Sequence, residues 1–190
     1  MKFSYYRVKL FLGTRVLDRL LKKGSKRKMR SCNIDDAKSI GMICVIKNRE
    51  DYEAVVEIID SIKSDFSIPK IKVLAFYPLK DEPFFLKSRL GLDFFTIHDL
   101  NYYAFPNNTI VRNFTNEPLD ILIDLTGTKV IPLRLILQFS NSSFKVGSFS
   151  KENKQYYDLM IETDPGDYGE YVKQVVNYLQ IFNKKSNEIE

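Results

Sequence analysis

The sequence contains no tryptophan, one histidine and two cysteines in 190 residues, and these scarcities exclude several classes of protein. Cys32 and Cys44 are too few for the disulfide framework of a small secreted protein, so we expect a reducing, cytoplasmic setting. One histidine and two cysteines also leave no ligand cluster at metal-binding spacing. The sequence therefore predicts no metal site and no cofactor.

Long apolar runs and glycine-rich phosphate loops are scarce too. The longest apolar run near the start, residues 10–12, is too short for a signal peptide or a bilayer span. We expect neither export nor membrane spanning, and a peripheral position at the inner membrane surface stays open. Residues 126–129 lack the two spaced glycines of a phosphate-binding loop. No glycine-rich dinucleotide-binding motif follows any predicted strand, and Gly41 is an isolated glycine. Nucleoside triphosphatases and ordinary dinucleotide enzymes are disfavoured.

Charge, by contrast, is strongly segregated along the chain. Residues 1–30 contain eleven basic residues and one acid, whereas residues 31–190 contain 18 bases and 23 acids. On a helical wheel of the first 23 residues, apolar side chains gather on one side and most basic ones on the other. We expect a basic amphipathic helix and a solvated basic hinge in residues 1–36, followed by one α/β domain in residues 37–190.

Three uses of this N-terminal arm fit the pattern. The arm can lie on an anionic membrane surface or contact nucleic acid through phosphates. Its apolar face can instead pack on its own globular domain or on a second copy, which would make a homo-oligomer. The side chains expected at a membrane or nucleic-acid contact are Arg15, Arg19, Lys22, Lys23, Lys26, Arg27, Lys28 and Arg30.

After the arm, apolar strand-like segments alternate with helical ones. Strands are predicted at residues 39–46, 71–77, 94–97, 119–125, 144–149 and 157–161. Helices are predicted around residues 52–62, 83–89, 110–114, 133–139 and 167–182, with Asn48 and Asp167 as N-caps of the first and last. This alternation predicts an open, mostly parallel, doubly wound (Rossmann-like) sheet of five to six strands.

Residues 118–132 are the centre of the predicted site. They form a strand that is apolar on both sides, ends in Asp124, and leads through a polar turn to a helix with Pro132 in its first turn. Ligands of parallel sheets bind beyond the carboxyl ends of the strands, where amides and lysines can hold phosphate or carboxylate. The predicted ligand-binding residues are Lys47, Asn48, Arg49, Asp124, Thr126, Gly127, Thr128 and Lys129. The alternative is that Asp124 caps its turn or pairs with Lys47.

The aromatic segment 98–108 offers further candidates. His98 beside Asp99 resembles a general base with an orienting carboxylate, but no nucleophile accompanies it by motif, so we expect no catalytic residue. Tyr102, Tyr103 and Phe105 suit either a stacking platform for nucleic acid or an edge of the core, and we expect the core edge.

Several segments carry a resemblance to known families. The basic start and residues 36–41, 119–125, 144–147 and 156–161 resemble a family of small uncharacterised Bacteroidetes proteins over nearly the full length, which implies no activity. Residues 120–127 and 145–149 resemble the acceptor-side half of heptosyltransferase-like enzymes of the glycosyltransferase-B fold. That resemblance implies the fold, while the chain lacks room for the second domain that binds the nucleotide sugar.

These patterns lead to one expected function and one alternative. We expect a non-enzymatic binding or accessory module whose basic arm binds a surface or docks on the protein itself. The alternative is an enzyme or binder that acts on a phosphate-bearing or sugar-like small molecule at the carboxyl ends of the strands.

Overall fold

The computed structural model describes residues 2–22, 27–80, 83–127, 130–152, 154–162 and 166–182, with the backbone alone for residues 2–7 and 22. The strands are β1 (Ser39–Val45), β2 (Lys70–Tyr77), β3 (Leu92–Thr96), β4 (Ile121–Asp124), β5 (Phe144–Ser148) and β6 (Leu159–Ile161). The helices are α1 (Lys2–Lys22), α2 (Arg49–Asp65), α3 (Thr109–Asn116), α4 (Ile131–Phe139) and α5 (Tyr168–Ile181), with a 3₁₀ turn at Ile97–Asp99.

The strands form a parallel sheet in the order β3-β2-β1-β4-β5-β6. β1 is central, and its Ile43 lies opposite Leu74 of β2 on one side and Asp124 of β4 on the other. After β3 the chain crosses back through α3 to β4, so the strand order reverses between β1 and β4. The predicted parallel, Rossmann-like sheet is confirmed, and its order is that of dinucleotide-binding folds.

Both faces of the sheet are covered by helices. Side chains alternate between the faces along each strand. Met42 and Val73 point towards α2 and α5, whereas Ile43, Leu74 and Leu122 point towards α1, α3 and α4. Every residue of β1 is buried as a result. This two-sided burial explains the nearly continuous apolar runs of the central strands.

The apolar face of α1 packs against α4 and the segment after β3. Leu17 is only 1% exposed, and Leu10, Leu20 and Leu21 join the same cluster. Lys9 extends from the same helix and donates a hydrogen bond to the carbonyl oxygen of Leu100 at 3.0 Å. These four leucines of the arm therefore pack on the chain's own domain.

Gly13 permits the close approach of α1. A Cβ atom at this position would lie 2.5 Å from the carbonyl oxygen of Tyr103 and 3.0 Å from Cγ2 of Ile131. We expect Gly13→Leu to lower the free energy of unfolding by about 1–3 kcal/mol, although leucine is the better helix former. Thr14→Leu, on the exposed face, should change it by less than about 0.5 kcal/mol. Equal midpoints of the two variants in urea unfolding would contradict this docking.

The connection from β2 to β3 differs from the expectation of a helix at residues 83–89. Pro83 and Leu86 form a turn, and Arg89 makes an isolated antiparallel bridge to Leu92. Phe85 packs on Tyr52 of α2 and Leu86 joins the core, whereas Phe84, between Pro83 and Phe85, is 88% exposed. A helix of seven residues is marginal by itself and forms only where an apolar face packs along its length, and this segment packs only two side chains.

The predicted solvated basic hinge is wrong at Arg27, whose side chain is largely buried. Its guanidinium donates to both carboxylate oxygens of Asp158 at 2.5 and 2.6 Å and to the carbonyl oxygen of Ser143 at 2.8 Å. The side chains of Arg27 and Asp158 are only 11% and 10% exposed. The segment after α1 is thus tied to the segments that precede β5 and β6.

Candidate functional site

A cleft of about 700 Å³ opens at the carboxyl ends of β1 and β4, where the strand order reverses. This is the position at which open parallel sheets bind ligands. One wall is apolar and is formed by Leu10, Phe76, Pro78, Val130, Ile131 and Pro132. The other wall is polar and is formed by Lys47, Glu50, Asp51, Thr126, Asp167 and Tyr168.

The start of α2 contributes two carboxylates to the polar wall. Asn48 is the N-cap, as predicted, and its Oδ1 accepts a hydrogen bond from the Asp51 N–H at 2.8 Å. The Asp51 carboxylate accepts from the Lys47 N–H at 2.8 Å, and Glu50 precedes it in the first turn. Acidic side chains therefore already occupy the positive end of this helix dipole.

The start of α5 has a similar arrangement. Asp167 is the N-cap, as predicted, and it accepts a hydrogen bond from the Glu170 N–H at 3.1 Å. Tyr168 donates from its hydroxyl to the Val45 carbonyl oxygen at 2.8 Å, which ties α5 to the end of β1. Burial raises the pKa of Tyr168, so its phenol stays neutral. A second helix start at the cleft thus carries its own carboxylate.

The loop between β4 and α4 forms the floor of the cleft. Thr126 lines the cleft, while Gly127 adopts a left-handed conformation with φ of 59°. α4 begins at Ile131, and its N-cap residue Val130 makes no side-chain cap. Pro132 in the first turn needs no amide donor there.

Asp124 lies beneath this loop and is fully buried. Its Oδ1 accepts hydrogen bonds from the N–H and hydroxyl of Thr126 at 2.8 and 2.6 Å, and its Oδ2 accepts from the Tyr157 hydroxyl at 2.5 Å. Gly147 makes room for Tyr157, because a Cβ there would lie 2.3 Å from the tyrosine ring. Asp124 caps its own turn and shapes the floor of the cleft.

The other predicted ligand-binding residues have different positions. Lys47 lines the cleft. Arg49 is exposed and donates to Glu53 at 2.7 Å, a hydrogen bond that raises the pKa of Arg49. Thr128 and Lys129 lie outside the described residues. The structure therefore brings Lys47 and Thr126 together at one cleft and directs Arg49 along the surface of α2.

The basic residues of the arm are also divided. Arg15, Arg19, Lys28 and Arg30 are exposed, whereas Arg27 is committed to Asp158. Lys23, Lys26 and the side chain of Lys22 lie outside the described part of the chain. The exposed members remain accessible to a partner.

Sequence reasoning missed several residues of the cleft. Glu50 and Asp51 had a signal, since both follow an N-cap at the end of the first strand. Asp167 was recognised only as a cap. No sequence signal linked Leu10 to the cleft. Leu10 lines it only because α1 packs beside α4, which lies more than 100 residues later in the sequence.

The aromatic segment has a structural role in part. Asp99 accepts from the Thr96 N–H at 2.7 Å in a capping box, while the His98 Nε2 lies 3.1 Å from the Lys80 carbonyl oxygen. The expectation that both tyrosines cover the core is wrong, since Tyr102 and Tyr103 are 60% and 49% exposed. Phe105, at the same loop, packs edge-on against Phe139.

The described residues contain little that suggests catalysis. Cys44 is fully buried, and burial raises the pKa of its thiol, which keeps it protonated. Within the described ranges no group of histidine, cysteine and acidic residues could hold a metal ion. In the same ranges no helix has the length and apolar character needed to cross a membrane.

Comparison with known proteins identifies the family of the chain. A model described as a family of unknown function, DUF6913, matches residues 9–182. The chain belongs to this family. No curated protein and no solved structure matches it. These findings give no support to the Bacteroidetes origin or to the heptosyltransferase resemblance.

In this member of the family, the matched stretch begins within α1 and ends just after α5, so it includes both walls of the cleft. The strand order is that of dinucleotide-binding proteins, but the loop after β1 contains no glycine and leads into Glu50 and Asp51. β2 (Lys70–Tyr77) contains no acid at its carboxyl end of the kind that holds a ribose. Pyrophosphate would meet carboxylates where it needs free amides.

Proposed function

We propose that this protein is a binding module that holds a small ligand bearing hydroxyl or amino groups in the cleft between β1 and β4. The observation that carries the proposal is the presence of Glu50, Asp51 and Asp167 on one wall of that cleft, opposite an apolar wall. Carboxylates accept hydrogen bonds from hydroxyl and ammonium groups, and the apolar wall suits the carbon skeleton of the same ligand.

The electrostatics of the helix starts favour this ligand class over phosphates. α2 and α5 both begin at the cleft. In α5 the Asp167 carboxylate accepts from the Glu170 N–H, and at α2 the Asn48 side chain caps the first turn while the Asp51 carboxylate accepts from the Lys47 N–H just before the helix. Lys47 is the one base among the described residues that line the cleft, against three acids. A sugar-like or amine-bearing ligand satisfies these acids, whereas a phosphate would be repelled by them.

A binding role is favoured over catalysis by the side chains available. The described lining includes no serine, cysteine or histidine that could form a nucleophile and base pair. Asp124, a buried carboxylate beneath the floor of the cleft, accepts hydrogen bonds from Thr126 and Tyr157, which suits a structural role. Substituting Asp124 would disturb folding as well as binding.

We also propose a cytoplasmic setting for the protein. Cys32 and Cys44 are both free, as expected in a reducing compartment. The test is expression with and without an appended export signal, followed by thiol labelling of the protein recovered from each compartment. Folded protein recovered only after export, in an oxidised form, would contradict this setting.

The proposed ligand class can be tested by thermal shift with two matched libraries, one of polyols, sugars and amines and one of nucleotides and sugar phosphates. We expect stabilisers only in the first library. Glu50→Gln should weaken the affinity for the best stabilising compound at least about tenfold, because one charge-assisted hydrogen bond contributes about 1.5 kcal/mol or more. Glu57→Gln is the control, since Glu57 is exposed on the same helix outside this cleft.

Three results would overturn the proposal. Stabilisation by phosphates alone would reverse the ligand class, and equal effects of Glu50→Gln and Glu57→Gln would place the ligand elsewhere. Conversion of the bound compound, followed by nuclear magnetic resonance, would indicate an enzyme in place of a binding module.

A further inference from the structure

The docked helix α1 has an outward face that the domain does not use. Val8 and Phe11 are 48% and 59% exposed, and Arg15 and Arg19 lie on the same side at helical spacing. The Arg15 guanidinium lies 5.0 Å from the centre of the Phe11 ring. Since the leucine face is covered by α4, this second face is the one available to a partner.

The N-terminal segment that carries this face is strongly basic. Arg15 and Arg19 are followed by exposed Lys28 and Arg30, and residues 1–30 contain eleven bases against one acid, Asp18. The remainder of the chain has an excess of acids. A partner that complements this end of the molecule must therefore be anionic.

We propose that the outward face of docked α1 binds an anionic lipid surface. The arginines would contact headgroup phosphates, and Phe11 with Val8 would enter the interfacial layer, where aromatic side chains and arginine are both favourable. The leucines stay packed on α4, so the helix contacts the surface without leaving the domain. This surface is separate from the cleft and does not depend on the ligand proposed for it.

The exposed apolar pair favours lipid over nucleic acid. Contact with a phosphate backbone is made by lysine and arginine side chains and does not require the exposed Val8 beside them. Val8 and Phe11 together gain most by leaving water at a surface with an apolar interior. With two such side chains the binding is shallow, so it must weaken steeply with salt.

A single introduced tryptophan tests which face of α1 meets the lipid. Its fluorescence is unambiguous because the chain contains no other tryptophan. In Phe11→Trp, vesicles of phosphatidylcholine with phosphatidylglycerol should shift the emission to the blue, and brominated lipid should quench it. Vesicles of phosphatidylcholine alone should do neither. Tyr178→Trp, exposed on α5 across the sheet, is the matched control and should not respond.

Charge reversal tests the electrostatic part. Arg15→Glu with Arg19→Glu should weaken co-sedimentation with the anionic vesicles at least about tenfold. Lys151→Glu with Lys154→Glu, an equal charge change at exposed residues outside the arm, should weaken it far less. Equal losses in the two double variants would overturn the proposal.

Three further results would also overturn it. One is a response of Tyr178→Trp equal to that of Phe11→Trp. Another is tighter binding to short duplex DNA than to anionic vesicles with the same dependence on Arg15 and Arg19, which would assign the face to nucleic acid. The third is a concentration-dependent blue shift of Phe11→Trp without vesicles, which would assign it to a second copy of the chain.

Discussion

Replacing Arg27 with alanine is expected to lower the free energy of unfolding by about 3–5 kcal/mol, the usual effect of removing one partner of a buried ion pair. The reason is that the Asp158 carboxylate would lose its guanidinium partner in a site where its side chain is only 10% exposed. Arg27 also donates to the Ser143 carbonyl oxygen, so the segment after α1 would lose its tie to the sheet. Urea unfolding at neutral pH measures the difference.

Arg49→Ala is the matched control for this prediction. Arg49 makes a similar contact with Glu53 at 2.7 Å, but the two side chains are 73% and 53% exposed. Exposed pairs of this kind contribute less than about 1 kcal/mol. If both variants lost the same stability, burial would not explain the effect at Arg27. A double-mutant cycle with Asp158→Asn should show coupling of the two side chains.

Lys145 forms the second unusual feature of the same region. It lies on β5, is 2% exposed, and donates from Nζ to the carbonyl oxygen of Leu137 in α4. The pKa of Lys145 is lowered to about 7, mainly by burial and also by the Arg27 charge, while the Asp158 charge acts in the opposite direction. The charged ammonium form of Lys145 is therefore destabilised in this buried site.

The stability of the protein should rise with pH above about 7 because of this lysine. An unfolded lysine has a pKa of about 10.4, so between about pH 7 and about pH 10 the unfolded chain binds more protons than the folded one. The slope contributed by one group is at most about 1.4 kcal/mol per pH unit. Below about pH 7 both states are protonated, and the full penalty of the buried charge remains.

Lys145→Met should remove this dependence. We expect the variant to exceed the wild type in stability by about 1–4 kcal/mol at pH 6, with the difference closing towards pH 9 as the wild-type lysine loses its proton. Urea unfolding across this range measures it, and Lys63→Met on the exposed end of α2 is the control. Parallel pH profiles for the wild type and Lys145→Met would contradict a lowered pKa.

The alternation of apolar strands and helices was sufficient to predict the parallel sheet. Local chemistry also placed Asn48 and Asp167 at the starts of α2 and α5, where both act as N-caps. The stretch around Asp124 was correctly assigned to a buried strand at the centre of the sheet. These features depend on residues close in sequence, so the sequence alone contains them.

The acidic lining of the cleft could not be predicted from the sequence. Lys47 and Lys129 flank the strand ends and by themselves predict a phosphate site, but three acids on α2 and α5 line the same opening. Acids in a first helical turn usually indicate only a cap. Their meeting at one cleft depends on the strand order, which sequence periodicity does not specify.

The amino-acid sequence by itself determined the fold class, the helix caps, the charged arm and the buried strand that ends in Asp124. Only the tertiary structure decided that Asp124 lies beneath the cleft, that Arg27 is paired inside the protein, and that α1 hides its leucines and exposes Phe11. The physical reason is that burial and electrostatic partners arise between residues distant in sequence. A charged side chain is exposed, paired or neutral according to what the fold packs around it.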